Sequence, residues 1–143
     1  MTEKTTWGRN AVRVLRAGEI DAAKTAAGGR ATVFDFAGTE ARQTWFGAAN
    51  LPPGVATGLH HHGRHEVAFY VAKGHPEVRW GERLEFAAQL GPGDYAYFPP
   101  YVPHQERNPS ATETVELVVV RSDSERIAIK IDGPIAETPE TVY

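Results

Sequence analysis

Side chains that can bind a metal are concentrated in one short stretch of the chain. Four histidines and a glutamate fall within seven positions: His60, His61, His62, His65 and Glu66. Imidazole and carboxylate groups are common ligands of divalent transition metals in proteins. If this stretch is extended, neighbouring side chains point to opposite faces, so His60 and His62 share a face and His61 faces away. The spacing therefore predicts that His60 and His62 bind one ion together.

His104 is a further candidate ligand, and it follows a proline-rich bend with the sequence YAYFPPYVP. Three imidazoles and one carboxylate would leave about two positions open on an octahedral ion, and open positions are typical of catalytic rather than structural sites. The ligand types suit Fe(II), Mn(II), Ni(II), Cu(II) or Zn(II), and spacing does not choose among these ions.

Two other side chains are candidates for proton transfer. In an extended strand, Tyr70 and Ala68 lie on the same face as Glu66, so both are expected to face the cavity. There the Tyr70 hydroxyl could bind substrate or act as an acid. Ordinary core packing is the alternative for this aromatic residue. Glu106 has the parity of His104 and could act as a base or contact a metal ligand, with an exposed surface position as the alternative.

The elements that must position these residues are short strands. From residue 31 onwards, runs rich in β-branched and aromatic residues alternate with Gly/Pro turns. Besides the histidine segment, the runs cover residues 31–36, 44–50, 66–72, 77–80, 83–88, 95–98, 104–108, 112–120 and 126–131. Such a series with almost no helix predicts an all-β sandwich or barrel of antiparallel strands.

The length of 143 residues fits one domain with its own core. We divide it into an N-terminal arm (1–30) with a short helix over 18–27, a barrel (31–131) and a polar tail (132–143). The tail is expected to lie over the surface or over a partner subunit.

Composition limits the classes of function. The chain has no cysteine, which excludes disulfides and thiolate metal sites. The net charge of −3 and the lack of a Lys/Arg run argue against nucleic acid or an anionic membrane as a partner. The start, MTEKTTWGRN, has no apolar core of the signal-peptide kind, and no apolar run reaches the roughly 18 residues of a membrane span. We expect a soluble cytoplasmic protein.

The histidine stretch resembles the first half of the signature of the cupin superfamily, the RmlC-like jelly rolls. That half reads glycine, five residues, H-x-H, three or four residues, glutamate, six residues, glycine. Gly54, His60, His62 and Glu66 are in register, and Gly74 comes one position late. We expect this shift to lengthen a strand or its turn without affecting a ligand.

The segment around His104 resembles the second half of the signature: glycine, five residues, P-x-G, two residues, histidine, three residues, asparagine. Gly93, Pro99, His104 and Asn108 match, and Tyr101 replaces the second glycine. Tyrosine adopts a positive φ reluctantly, so we expect the bend to take a different route with the Tyr101 ring near the cavity mouth.

The resemblance implies a cupin-type double-stranded β-helix, or jelly-roll barrel, with one divalent transition metal on His60, His62, Glu66 and His104. More narrowly, the chain looks like stand-alone bacterial monocupins of uncharacterised activity. The family implies a metal-dependent enzyme acting on a small organic molecule, with iron and dioxygenase-like oxidation favoured. Isomerase or lyase chemistry and non-catalytic small-molecule binding are the alternatives. Small cupins commonly dimerise, so a homodimer is expected.

The turn after His62 decides whether Glu66 or His65 joins the ligands. A two-residue turn at Gly63-Arg64 has the Gly-first pattern of a type II′ hairpin and would pair His62 with His65. A three-residue loop would pair His62 with Glu66. We favour Glu66, because the family pattern and the apolar strand that begins at Val67 both fit the longer loop. His65 is the alternative.

Overall fold

The structure is a computed structural model that describes residues 13–20, 30–34, 41–123 and 127–143. In these ranges the only helix is a single 3-10 turn, Ala17–Glu19. The helix expected over 18–27 falls mostly on residues 21–29, which lie outside the described residues. No helix in the described ranges has the length and hydropathy of a membrane span.

Strands are the main regular secondary structure of the described chain, and they form two sheets. The strands are β1 Arg30–Phe34, β2 Thr44–Leu51, β3 His60–His61, β4 Val67–Lys73, β5 Glu77–Trp80, β6 Phe86–Gln89, β7 Tyr95–Phe98, β8 His104–Arg107, β9 Val115–Ser122, β10 Ile129–Lys130 and β11 Glu140–Thr141. One sheet has the order β1-β2-β9-β4-β7 and the other the order β10-β3-β8-β5-β6-β11. The neighbouring strands are antiparallel except β11, which runs parallel to β6. The all-β jelly-roll prediction is confirmed.

The core lies between the sheets and is built by alternation along each strand. In β2 and β9, every second residue is buried, which is the pattern of a strand with one face on a core. The five-stranded sheet supplies most of the apolar core, and Val78 of β5 contributes to it from the other sheet. Burying each such aliphatic side chain stabilises the fold by roughly 1.5–3 kcal/mol.

The inward face of β4 is the opposite of the one expected from the sequence. Val67, Phe69 and Val71 are buried in the core, whereas Glu66 and Tyr70 are exposed. Because side chains alternate along a strand, a shift of one position moves the whole set to the other face. The expectation that Glu66, Ala68 and Tyr70 face the cavity is therefore not met.

Gly74 holds β4 in this register. Its φ of +87° is a conformation that favours glycine, and a Cβ added there would lie 2.8 Å from the carbonyl oxygen of Thr114 and 2.9 Å from the Cα of Val115. These contacts are with backbone, which cannot move aside as a flexible side chain can. The glycine that comes one position late thus fixes where β4 ends.

The C-terminal tail extends the six-stranded sheet through β11. Its residues Glu140 and Thr141 pair with Phe86 and Ala87 of β6. Beyond β11, the ring of Tyr143 lies 6.3 Å from that of Trp80, measured between centroids. The tail therefore packs against the barrel and forms a strand that the sequence analysis did not predict.

Candidate metal centre

Three histidines meet inside the barrel. His60 lies in β3, His62 follows that strand, and His104 begins β8, where it stands directly opposite His60. All three are buried, and one ring nitrogen of each lies within 4.8 Å of the other two. The structure thus brings together the two histidines of the H-x-H pair and the single histidine that follows the proline-rich bend.

Backbone carbonyls set the orientation of all three rings. A carbonyl oxygen only accepts hydrogen bonds, so each Nδ1 must carry a proton, and in the neutral ring Nε2 then holds the lone pair. The buried Nε2 of His62 has no hydrogen-bond partner among the described residues. The tautomer with the proton on Nδ1 and a free lone pair on Nε2 is the one that a metal ligand needs. The Nδ1–H of His60 donates to the carbonyl of Gly58 (2.7 Å), that of His62 to the carbonyl of Ile127 (2.7 Å), and that of His104 to the carbonyl of Val102 (3.0 Å).

The surroundings of His62 keep it uncharged. The pKa of His62 is lowered from 6.5 to about 3, mainly because burial penalises the charged ring; the hydrogen bond to Ile127 opposes this effect, and electrostatic interaction with Arg121, His104 and His60 adds to it. The ring is therefore neutral at physiological pH, and an incoming cation would not have to displace a proton from it.

These residues fit a divalent transition metal. Neutral imidazoles in a protected pocket suit Fe, Mn, Ni, Cu and Zn alike. The ring centroids are 5.0 Å apart for His60 and His62, 4.4 Å for His60 and His104, and 5.1 Å for His62 and His104. The three histidines could hold a metal, and the arrangement does not identify which one.

Neither of the two candidates for the fourth ligand lies in this group. Glu66 is exposed, and its backbone pairs with Ser122 on the outer side of the strand pair. His65 is buried, but its Nε2 lies 3.7 Å from a carboxylate oxygen of Asp123, outside the group of three. In the cupin signature the glutamate lies seven positions before the final glycine. Counted back from Gly74, that position is Val67, which packs in the core.

Glu106 is the carboxylate that the structure places beside the histidines. It is 3% exposed, its Oε1 lies 3.7 Å from Nε2 of His104, and its Oε2 lies 3.9 Å from Nε2 of His60. The hydroxyl of Thr57 donates to Oε2 at 3.0 Å. The surface position considered for Glu106 is therefore wrong.

Tyr70 lies away from the three histidines. It is 37% exposed, and its ring packs against Tyr95 with 5.0 Å between centroids. Together with Ala68 it lines a shallow apolar depression on the outer face of the five-stranded sheet. The geometry gives its hydroxyl no path to the metal centre, because β4 itself stands between them.

A cavity of about 720 Å³ is lined by residues that contact His104, although none of the three histidines lines it. Phe98 lines it and stacks on the His104 ring at 4.2 Å, and Trp80, also in the lining, pairs with His104 between β5 and β8. The carbonyl of Val102, another lining residue, accepts the Nδ1–H of His104. Sequence reasoning did not assign Trp80 or Phe98 to the site, since only the pairing of β5 with β8 and of β7 with β4 brings them there.

The bend before His104 keeps a glycine-like conformation although tyrosine occupies the position. Tyr101 has a φ of +65°, and its N–H donates to the carbonyl of Gly63 at 2.8 Å. Its ring packs against His61 with 5.9 Å between centroids. The expectation of a different route is wrong: the backbone hydrogen bond and the ring contact hold tyrosine in a conformation that costs it about 1–2 kcal/mol.

Comparison with known proteins agrees with the fold. Residues 47–121 match the family described as Cupin domain. No curated protein matches the chain.

Three solved structures illustrate the likeness, each with a TM-score of 0.62. An uncharacterised double-stranded β-helix protein of Klebsiella pneumoniae is 18% identical over 84% of this chain and 90% of its own. A cupin 2 domain-containing protein of Halorhodospira halophila is 29% identical over 73% and 70%. The polyketide cyclase RemF of Streptomyces resistomycificus is 21% identical over 77% and 73%. At 18% and 21% identity, the likeness shows a shared fold.

Proposed function

Because the chain belongs to the Cupin domain family, we propose that it is a metal-dependent enzyme acting on a small organic molecule. The favoured reaction is a dioxygenase-like oxidation, in which both atoms of O₂ enter the product and no external reductant is needed. The favoured metal is one iron ion per chain, with Mn, Ni, Cu and Zn as the other candidates. The observation that carries the proposal is the group of three buried histidines beside an apolar cavity.

The protein's own residues would create the conditions for this chemistry. The three imidazoles would hold the ion through Nε2, since their Nδ1–H groups are engaged by backbone carbonyls. When bound, the ion would supply Lewis-acid or redox chemistry at the positions that the protein leaves open. The apolar wall of Phe98 and Trp80 would limit water around the reacting atoms, which strengthens electrostatic interactions there.

The cavity favours an aromatic or otherwise apolar substrate. Its volume lies within the usual range of small-molecule pockets, and its lining is mainly aromatic and aliphatic. No Lys or Arg occurs among the described lining residues, so a phosphorylated sugar would find no cation to bind its phosphate. A ring stacked between Phe98 and Trp80, with an oxygen atom directed at the histidines, would satisfy both the cavity and the metal.

Isomerase or lyase chemistry is the second candidate, and Glu106 is the observation that favours it. A buried carboxylate 3.7–3.9 Å from two imidazole nitrogens is placed as a general base would be. O₂ consumption separates the two reactions, since an isomerase or lyase converts its substrate without it. Thermal stabilisation by a compound that is never converted would instead indicate a binding protein.

Elemental analysis of untagged protein tests the metal centre. We expect close to one transition metal per chain in the wild type, loss of that metal in His62→Ala and His104→Ala, and full retention in the control His75→Ala, whose side chain is exposed in a loop. A wild type that contains no metal and takes none up on reconstitution would overturn the proposal. Metal-loaded protein would then be incubated with phenolic and other aromatic compounds while O₂ is monitored.

We also propose a homodimer that buries the outer face of the five-stranded sheet. This face carries the exposed rings of Tyr95 (76%), Tyr97 (58%) and Tyr70 (37%) beside half-buried Val118 and Val120. Aromatic residues are enriched in interfaces between copies, and a twofold contact would bring the same rings together from both chains. The cytoplasmic location remains a prediction from composition.

A further inference from the structure

We propose that Glu106, rather than Glu66, supplies the carboxylate ligand of the metal. The inference rests on the proposed metal centre and identifies the strand that completes it. The sequence signature places the carboxylate just before β4. The structure instead places one on β8, two residues after the histidine ligand.

Strand geometry puts His104 and Glu106 on one face. Residues two apart in a strand point the same way, and both side chains are buried while Gln105 and Arg107 are only half-buried. Val78 lies opposite Glu106 and Trp80 opposite His104 on β5. A His-x-Glu pair on β8 thus faces the His-x-His pair that begins in β3.

The separations between ligand atoms are those of groups that can share one ion. Two ligand atoms about 2.1 Å from the same ion are about 3 Å apart at right angles and about 4.2 Å apart when opposite each other. The Glu106 oxygens lie 3.7 Å from Nε2 of His104 and 3.9 Å from Nε2 of His60, between these limits. Glu106 is not among the residues whose ligand atoms all lie within 4.8 Å of one another, so its side chain would have to move closer to His60, His62 and His104 to bind the same ion.

Thr57 holds this carboxylate in place. The Thr57 hydroxyl donates to Oε2 of Glu106 at 3.0 Å, and the Thr57 hydroxyl oxygen accepts the backbone N–H of Glu106 at 3.0 Å. Because its position is already fixed, the carboxylate would bind a divalent cation among the three histidines with little loss of conformational freedom.

Glu66 cannot take this position without disrupting β4. A shift by one residue would turn Glu66 inward, but it would also turn Tyr70 inward and expose Val67 and Phe69. Gly74 resists such a shift, because any residue with a Cβ at its position would clash with the backbone of β9 and the residue before it. Core packing and backbone sterics therefore act together to keep Glu66 outside.

Metal affinity measured by competition with a chelator tests the assignment, with Glu66→Gln as the matched control for Glu106→Gln. We expect Glu106→Gln to weaken Co(II) binding by more than about 100-fold, beyond the usual effect of residues outside the coordination sphere. It should also shift the visible absorption bands of bound Co(II). Glu66→Gln should bind within about twofold of the wild type and leave the spectrum unchanged.

Glu106→Asp covers the case in which the Gln variant does not fold. It keeps the charge but withdraws the carboxylate by one methylene, so we expect weaker Co(II) binding and a shifted spectrum. Wild-type affinity and spectrum in either Glu106 variant, or loss of binding in Glu66→Gln, would overturn the assignment while leaving the metal centre intact. A wild type that binds no metal would overturn the proposed function itself.

Discussion

The depressed pKa of His62 predicts that the metal-free protein loses stability as the pH falls. The folded-state pKa is about 3, against about 6.5 for an unfolded histidine. Below pH 6.5 the unfolded chain therefore binds a proton that the folded chain excludes, which favours unfolding. Stability linked to His62 is complete above pH 6.5 and is lost progressively as the pH falls towards 3.

The size of the effect follows from proton linkage. In this window the free energy of unfolding changes by about 1.4 kcal/mol per pH unit for one excluded proton. Between pH 7.5 and pH 5 the loss from His62 alone should be about 2 kcal/mol. That is a sizeable part of the total stability of a small domain.

Urea unfolding in the presence of a chelator, at several pH values from 7.5 to 5, measures this loss. The matched variant is His62→Gln, which does not titrate and can still donate a hydrogen bond to the carbonyl of Ile127. Other groups titrate in both proteins, so the difference between the two pH profiles reports His62. If the two profiles run parallel, His62 is not desolvated as argued here, and its neutral state at the metal centre loses its physical basis.

Two further predictions concern the β4 register and the outer face of the sheet. Gly74→Ala should lower the free energy of unfolding by about 2–4 kcal/mol, because the variant adds both positive-φ strain and a clash with backbone. Gly54→Ala is the control: its φ is similar but the space around it is open, so it should lower the free energy of unfolding by about 1 kcal/mol. Equal losses for the two variants in denaturant unfolding would contradict the role given to the clash. Tyr97→Lys should convert the homodimer to a monomer in light scattering at micromolar concentration, and a wild type that is already monomeric would refute the dimer.

The strands and the shared face of His60 and His62 could be predicted from the sequence because their signals are local. The runs that became β5 and β7 were predicted with their observed bounds, since a turn follows or precedes each closely. The His60 and His62 pair follows from alternation within a few residues. Such patterns depend only on residues that are neighbours in the sequence.

The face of β4 could not be predicted in the same way. Its parity depends on long-range contacts: Gly74 against Thr114 and Val115, and Val67 against Arg121 in the neighbouring strand. Counting forward from His62 placed Glu66 inside, whereas counting back from Gly74 places Val67 there. The late glycine is the available signal, but from the sequence alone it predicts only a longer strand or turn without consequence for the ligands.

The distribution of polar residues between the two sheets explains why the carboxylate belongs on β8. The inward positions of β4 are apolar throughout, so a carboxylate there would replace an apolar side chain of the core. The inward side of β8 continues from His104 through Glu106 to Asn108, whose side-chain amide donates to the carbonyls of Leu51 and Glu113. The inward side of β8 thus already carries the hydrogen bonds that buried polar groups require, and the apolar inward side of β4 excludes water from them. A ligand set confined to β3, β8 and the residues beside them therefore keeps the apolar core whole, whereas a ligand on β4 would interrupt it.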